Sequence, residues 1–206
     1  IQMEYRLESG RLNDYLQESR YVDYHHPAIQ QEAGLLFAGC TNDLEKILLA
    51  FTFVRDELPH SGDIHSSRVT RTASEALRFR EGICYAKSML LAALLRSAGI
   101  PVGFCYQRLA RHRPEGGYCI HALNAVYIAE RDHWTRVDAR GNTGRKNAQF
   151  FPDDPCREQV AVPVHPEQGE IDYPTIYVEP LKCTTDVLEQ NDDCREMLAK
   201  HLPSRL

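Results

Sequence analysis

The stretch GICYAKSMLLAALLRSAGIP, residues 82–101, constrains the fold more than any other part of the chain. It reads as a helix of small and aliphatic residues that opens on a single cysteine, Cys84. Gly99-Ile100-Pro101 closes it, because glycine accepts the backbone turn that ends a helix and proline cannot continue one. Three helices are expected ahead of it. PAIQQEAGLLFAG (27–39) has Pro27 in its first turn and Gly39 at its end. NDLEKILLAFTFVRDEL (42–58) carries Asn42 as its cap, Glu45 three residues on and Pro59 as its stop. In that helix Leu44, Ile47, Leu48, Phe51 and Val54 recur at helical spacing and form a core face. TASEALRFR (72–80) opens on a Thr72–Glu75 capping box, after a polar loop at 60–69.

Strand signals follow the cysteine helix. VGFCYQRL (102–109) is β-branched and aromatic, and YCIHALNAVYI (118–128) and HWTRVDA (133–139) read as a hairpin around AERD. Beyond Gly141 the chain is loop-like and proline-rich, with IDYPTIYV as an edge strand and a closing helix over 184–202. Helices first, antiparallel strands second and one helix last describe an α+β fold rather than parallel βαβ units. The expected organisation is one domain over 1–206 with its chemical core at about 42–142.

Composition excludes some functions. A net charge of -5 over 206 residues is not the footprint of a phosphate-backbone binder, so no nucleic-acid partner is expected. The positive stretches RFRE and RLARHR read as solvated loops. The longest apolar run, MLLAALL, is far short of a membrane span, and the N-terminus lacks the basic and apolar regions of a signal peptide. Ile1 and Gln2, ahead of Met3, read as additions to the natural start. Seven cysteines without a CxxC pair point to free thiols in a reducing, cytoplasmic setting and away from a zinc ribbon. No cofactor and no metal are expected.

Cys84 is a candidate nucleophile because a helix N-terminus offers unpaired N–H groups and partial positive charge, which favour a thiolate. Gly82 lets the backbone turn sharply and leaves room for substrate. The same N–H groups suit an oxyanion. The alternative is a buried cysteine that happens to start a helix. Of nine histidines, only His121 lies well inside an expected strand. With Ala129–Asp132 as the hairpin loop, Ile128 faces His133 and Asp138 falls opposite Leu123, diagonal to His121. His121 can then take the Cys84 proton while Asp138 orients the ring. A one-residue slip would put Asp138 on the other face.

REGICYAKSMLLAALLRSAGIPVGFC, then IHALNAVYI, then HWTRVDARGN resemble the transglutaminase-like superfamily of bacterial papain-fold enzymes. The matching residues are Gly82, Cys84, Arg96, Gly99, Ile100, Pro101, His121, Trp134 and Asp138. The resemblance implies a papain-like α+β core, a Cys84–His121–Asp138 triad and chemistry on amide or acyl groups through a thioester. The chain departs from the pattern in HALN, where many relatives have Trp after His-Ala, and in ARGN, where Pro-Thr is more frequent. Nothing resembles an Asp-rich calcium loop.

Other residues carry weaker expectations. Gln107 is a candidate oxyanion donor or a surface strand residue, and Trp134 packs on the strands or forms a substrate wall. Lys87, one turn past Cys84, adjusts the thiol or is simply solvated. Arg140 and Asn142 contact substrate or shape a turn. The leading function is a cysteine-nucleophile enzyme acting on a peptide or protein, by hydrolysis or by transamidation, with hydrolysis preferred. The alternatives are a non-catalytic peptide-binding module on the same fold and a metal site built on Cys84 and His121.

Overall fold

The computed structural model describes residues 3–206, so the reading of Ile1 and Gln2 lies outside the described residues. A two-residue strand β1 (Arg6–Leu7) precedes helices α1 (Pro27–Phe37), α2 (Asp43–Glu57) and α3 (Ala73–Phe79). The caps of α2 and α3 are those the sequence announces, whereas α1 starts on His26, whose Nδ1 accepts from the Ala28 N–H. The Asn42 side chain accepts from the Glu45 N–H while Glu45 accepts from the Thr41 N–H. The Thr72 hydroxyl accepts from the Glu75 N–H while Glu75 accepts from the Arg71 N–H. Each pairing satisfies amides that a helix start leaves without partners.

Helix α4 (Cys84–Ser97) runs through the centre, and every residue from Tyr85 to Arg96 is buried. Helices α1, α2 and α3 pack on one side of it and the sheet on the other. It ends on Gly99 at φ +79°, with the Gly99 N–H donating to the Arg96 carbonyl and the Ile100 N–H to that of Leu95. These bonds close a left-handed helix terminus.

The sheet has the order β4-β3-β2-β5, formed by β2 (Val102–Ala110), β3 (Tyr118–Ile128), β4 (His133–Val137) and β5 (Ile171–Asp172), all antiparallel. Alternate residues of β3 serve two cores. Ile120, Ala122, Val126 and Ile128 join the helices, while Leu123 and Ala125 join Tyr15, Cys105, Trp134 and Ile176. The α+β fold read from the sequence is the fold observed.

Three expectations are corrected. The proline-rich edge strand is two short pieces, β5 on the sheet edge and β6 (Thr175–Ile176) paired in parallel with β1, because Pro174 lies between them and cannot donate to a ladder. The closing helix is broken. Helix α5 (Lys182–Gln190) stops at Asn191, and a separate turn starts after Asp193, whose carboxylate accepts from the Arg195 N–H. RLARHR is not a solvated loop: Arg108 belongs to β2, and Arg111 and Arg113 donate to the carbonyls of Leu198 and Ala199.

Arg96, in the last turn of α4, ties three separate segments together. Its buried guanidinium donates to Val102 O at 2.8 Å, to Gln17 O at 2.7 Å and to Val178 O, and pairs with Glu179. A planar fork reaches these acceptors at once; a single aliphatic or ammonium group does not. Arg96→Leu therefore strands buried carbonyls and should cost on the order of 3 kcal/mol. Urea denaturation would show it as a lower midpoint at unchanged slope.

Candidate active site

The start of α4 is built for close approach. Gly82 is not in a left-handed conformation; a Cβ there would meet Thr70 Oγ1 at 3.0 Å and Ala86 Cβ at 3.1 Å. The glycine is thus required by tight packing rather than by a sharp turn or substrate room. Ile83 offers no side-chain cap, so the first-turn amides keep their donor capacity. Cys84 is half-buried at this end, and all seven cysteines are free thiols.

Two bonds lock this end to β3. Tyr85 Oη donates to Ile120 O at 2.7 Å, and Asn124 Nδ2 donates to Ser88 O at 3.1 Å and to Gly103 O at 3.2 Å. The Asn of HALN thus joins helix to sheet. The hairpin register is the one derived from sequence: Ile128 pairs with His133 and Asn124 with Val137. Asp138 follows directly, and its Oδ2 lies 2.9 Å from His121 Nε2. Cys84 lines the same cleft as this imidazole and acts on it electrostatically. The structure therefore brings Cys84, His121 and Asp138 together. With Nε2 committed to the carboxylate, Nδ1 is the ring atom left for the thiol.

Asp138 is fully buried and well supplied with donors. Its Oδ2 also accepts from the Ala161 N–H at 3.0 Å, and its Oδ1 accepts from the Arg140 N–H at 3.2 Å. Burial raises its pKa, but the His121 charge and these hydrogen bonds outweigh burial and leave it lowered. Burial likewise disfavours a charged His121, yet the Asp138 carboxylate, with Cys84 next in effect, pushes its pKa up to about 10. The direction of these shifts favours an imidazolium beside the Asp138 carboxylate.

Lys87 is not solvated. Its Nζ is buried and donates to Leu58 O at 2.6 Å, Arg140 O at 2.7 Å and Arg55 O at 3.5 Å. Three acceptors match the three donors of an ammonium, although burial and the Arg140 charge pull its pKa down to about 7. This contact explains ARGN. Gly141 sits at φ +117°, where a Cβ would also stand 3.3 Å from Lys87 Nζ. Asn142 shapes the following loop through both bonds to Ala148, and the Arg140 guanidinium pairs with Asp63 at 2.7 and 2.9 Å.

The two weaker site expectations fall elsewhere. Gln107 lies opposite His121 in the β2–β3 ladder, but it is fully buried and its amide donates to Val162 O and Asp172 Oδ1. Those bonds spend the donors an oxyanion would need. Trp134 packs its ring 4.8 Å from Tyr15 and 5.5 Å from Tyr127 in the second core, away from the cleft.

A cleft of about 490 Å³ opens at Cys84 and His121. Leu109, Ile120, Val162, Leu198 and Leu202 line one part of it, and Arg140, Arg145 and Lys146 another. His60, which looked like an ordinary loop histidine in the sequence, also lines it and is 8% exposed. It pairs with Gly82 as a β-bridge, and its Nδ1 accepts from the Gly62 N–H at 3.0 Å. Burial, with the Arg140 charge second, lowers its pKa well below the ordinary value. The ring is neutral and carries its proton on Nε2. No local signal in HSGDIHSSRV distinguishes this histidine from His65. Among the described residues, no group of three or more His, Cys, Asp or Glu could hold a metal ion, and no helix is long and apolar enough to cross a membrane.

A crystal structure from Cytophaga hutchinsonii, provisionally named a cysteine protease, superposes with a TM-score of 0.52 at 23% identity, over 64% of this chain and 43% of that one. A second, from Parabacteroides distasonis and provisionally named a protease, gives a TM-score of 0.40 at 18% identity, over 60% of this chain and 24% of that one. The chain thus spans less than half the length of either structure. A search of curated proteins found no match. The family model of the transglutaminase-like superfamily matches residues 31–139, more than half of the chain, from within α1 to just past Asp138, and the chain belongs to that superfamily.

Proposed function

We propose that this protein is a cysteine hydrolase that cleaves amide bonds of a peptide or protein through a thioester on Cys84. The observation that carries the reading is the buried His121–Asp138 pair at 2.9 Å, which opens on the same cleft as a half-buried cysteine at a helix start. The Cys84 thiolate attacks the carbonyl carbon, forming the C–S bond. The C–N bond then breaks, and the His121 proton passes to the leaving nitrogen. Water next attacks the thioester and gives a proton to His121, and the acid leaves as the thiolate reforms. Asp138 is a positioning residue: it fixes the ring and stabilises its charged form. Water resolves the thioester because the cleft is rimmed by the exposed residues His112, Arg145 and His165, which leave it in contact with solvent.

The tetrahedral intermediate needs two donors. One is the Cys84 N–H. The other is the Nε2–H of His60, the neutral, cleft-lining ring next to Gly82-Ile83-Cys84. It replaces Gln107 in that role.

Two reagents separate these roles. Iodoacetamide alkylates a thiolate without forming an oxyanion, whereas p-nitrophenyl acetate acylates it through one. In wild type both should modify Cys84 first. His121→Ala should slow both by about 100-fold or more. Equal labelling of Cys84 and Cys119 in wild type would remove the nucleophile reading and favour a binding module.

His60→Ala should lower acylation by about 10²–10³-fold relative to alkylation, and His60→Gln, which keeps a donor at the Nε2 position, should recover most of it. A parallel fall in both reactions would assign His60 a structural role only.

A further inference from the structure

The cleft carries a charge asymmetry that the acyl-transfer chemistry does not use. Arg140, Arg145 and Lys146 line it on one side. Arg140 is already engaged in a bidentate pair with Asp63. Arg145 and Lys146 make no close ion pair among the described residues, although Asp63 and Asp138 act on Lys146 at longer range and the chain as a whole has an excess of acid, at -5. Lys146 is half-buried; burial and the charges of Arg140 and Arg145 outweigh the opposing pull of Asp63 and Asp138 and leave its pKa lowered. Glu170 is the one acidic residue among the described residues that line the cleft. Both of its oxygens are already engaged, by the Ala110 N–H at 3.0 Å and the His165 N–H at 2.7 Å. The titratable groups facing this wall are His60, held neutral, and His112 and His165 at the rim. Cations without a close ion-pair partner in a concave site form an anion subsite, and a guanidinium matches a carboxylate in particular. Leu109, Leu198 and Leu202 line the same cleft.

We propose that the cleft takes a carboxylate-bearing peptide, with the carboxylate seated on Arg145 and Lys146 and an apolar side chain against Leu109, Leu198 and Leu202. The inference rests on Cys84 being the nucleophile. It narrows the substrate class to acidic peptides and explains why a net-acidic chain concentrates cations beside its thiol.

The test compares iodoacetate with iodoacetamide, which differ in charge at the same reacting carbon. The ratio of their rates at Cys84, taken within each protein, should fall by about tenfold from wild type to the Arg145→Gln/Lys146→Gln variant. In wild type it should also fall with added salt. A ratio that is the same in both proteins overturns the subsite while leaving the nucleophile intact. Failure of either reagent to select Cys84 overturns the parent reading instead. Protection against iodoacetamide then locates the carboxylate. A capped glutamate peptide that protects better than its glutamine counterpart places it on a side chain. Protection only by an uncapped C-terminus places it at the chain end. Equal protection by the neutral capped peptide contradicts the proposal.

Discussion

The candidate site depends on how the first turn of α4 is pinned to β3. Tyr85 donates to Ile120 and Asn124 to Ser88, both inside the core. Breaking either would leave a buried polar group without a partner, at a cost of about 1–3 kcal/mol. Tyr85 follows Cys84 and Ile120 precedes His121. The two reacting side chains are therefore each one residue from a locked contact, and they cannot drift apart while the helix stays docked. The burial of α4 on all sides supplies the rest: it has packing partners in three helices and in the sheet, and no face on which to slide.

Around that joint the protein buries charges that would be expensive alone. Each is matched. The Lys87 ammonium sits on three backbone carbonyls and holds the end of α2, the nucleophile helix and the turn after β4 in one knot. Asp138 accepts two backbone amides besides the imidazole. One of those amides belongs to Arg140, whose carbonyl also receives Lys87, so the same turn steadies both the acid and the ammonium. This arrangement lets a fully buried carboxylate remain ionised and keep His121 charged beside a thiol. The polar network and the apolar cleft wall are separate devices, one for chemistry and one for holding a ligand.

Much of this was legible in the sequence wherever the signal was local. Asn42 and Thr72 announce helix starts because a side chain three residues from its partner amide can act without tertiary help. The β3–β4 register followed from a short hairpin loop, which fixes pairing geometrically, and it located Asp138 beside His121 correctly. Residues whose environment comes from distant segments were misread or missed. Lys87 looked solvated because nothing nearby in sequence shows that Leu58 and Arg140 carbonyls surround it. Gln107 looked like an available donor because Val162 and Asp172 return from the proline-rich segment to occupy it. His60 was indistinguishable from other loop histidines until the chain folded it beside Gly82. Trp134 was assigned to the right strand, but only the fold shows that Tyr15 draws it into the second core.

The protonation state of His121 is the most direct measure of the central claim. Nitrogen-15 NMR of histidine-labelled protein reads it without a substrate. Asp138 and Cys84 should hold both ring nitrogens protonated through pH 8, with the proton lost as pH rises through about 10. Cys84→Ala should lower that midpoint, because it removes one of the two charges that raise it. A His121 that is already neutral at pH 7 in wild type, or whose midpoint ignores Cys84, would contradict a charged thiolate–imidazolium–carboxylate chain.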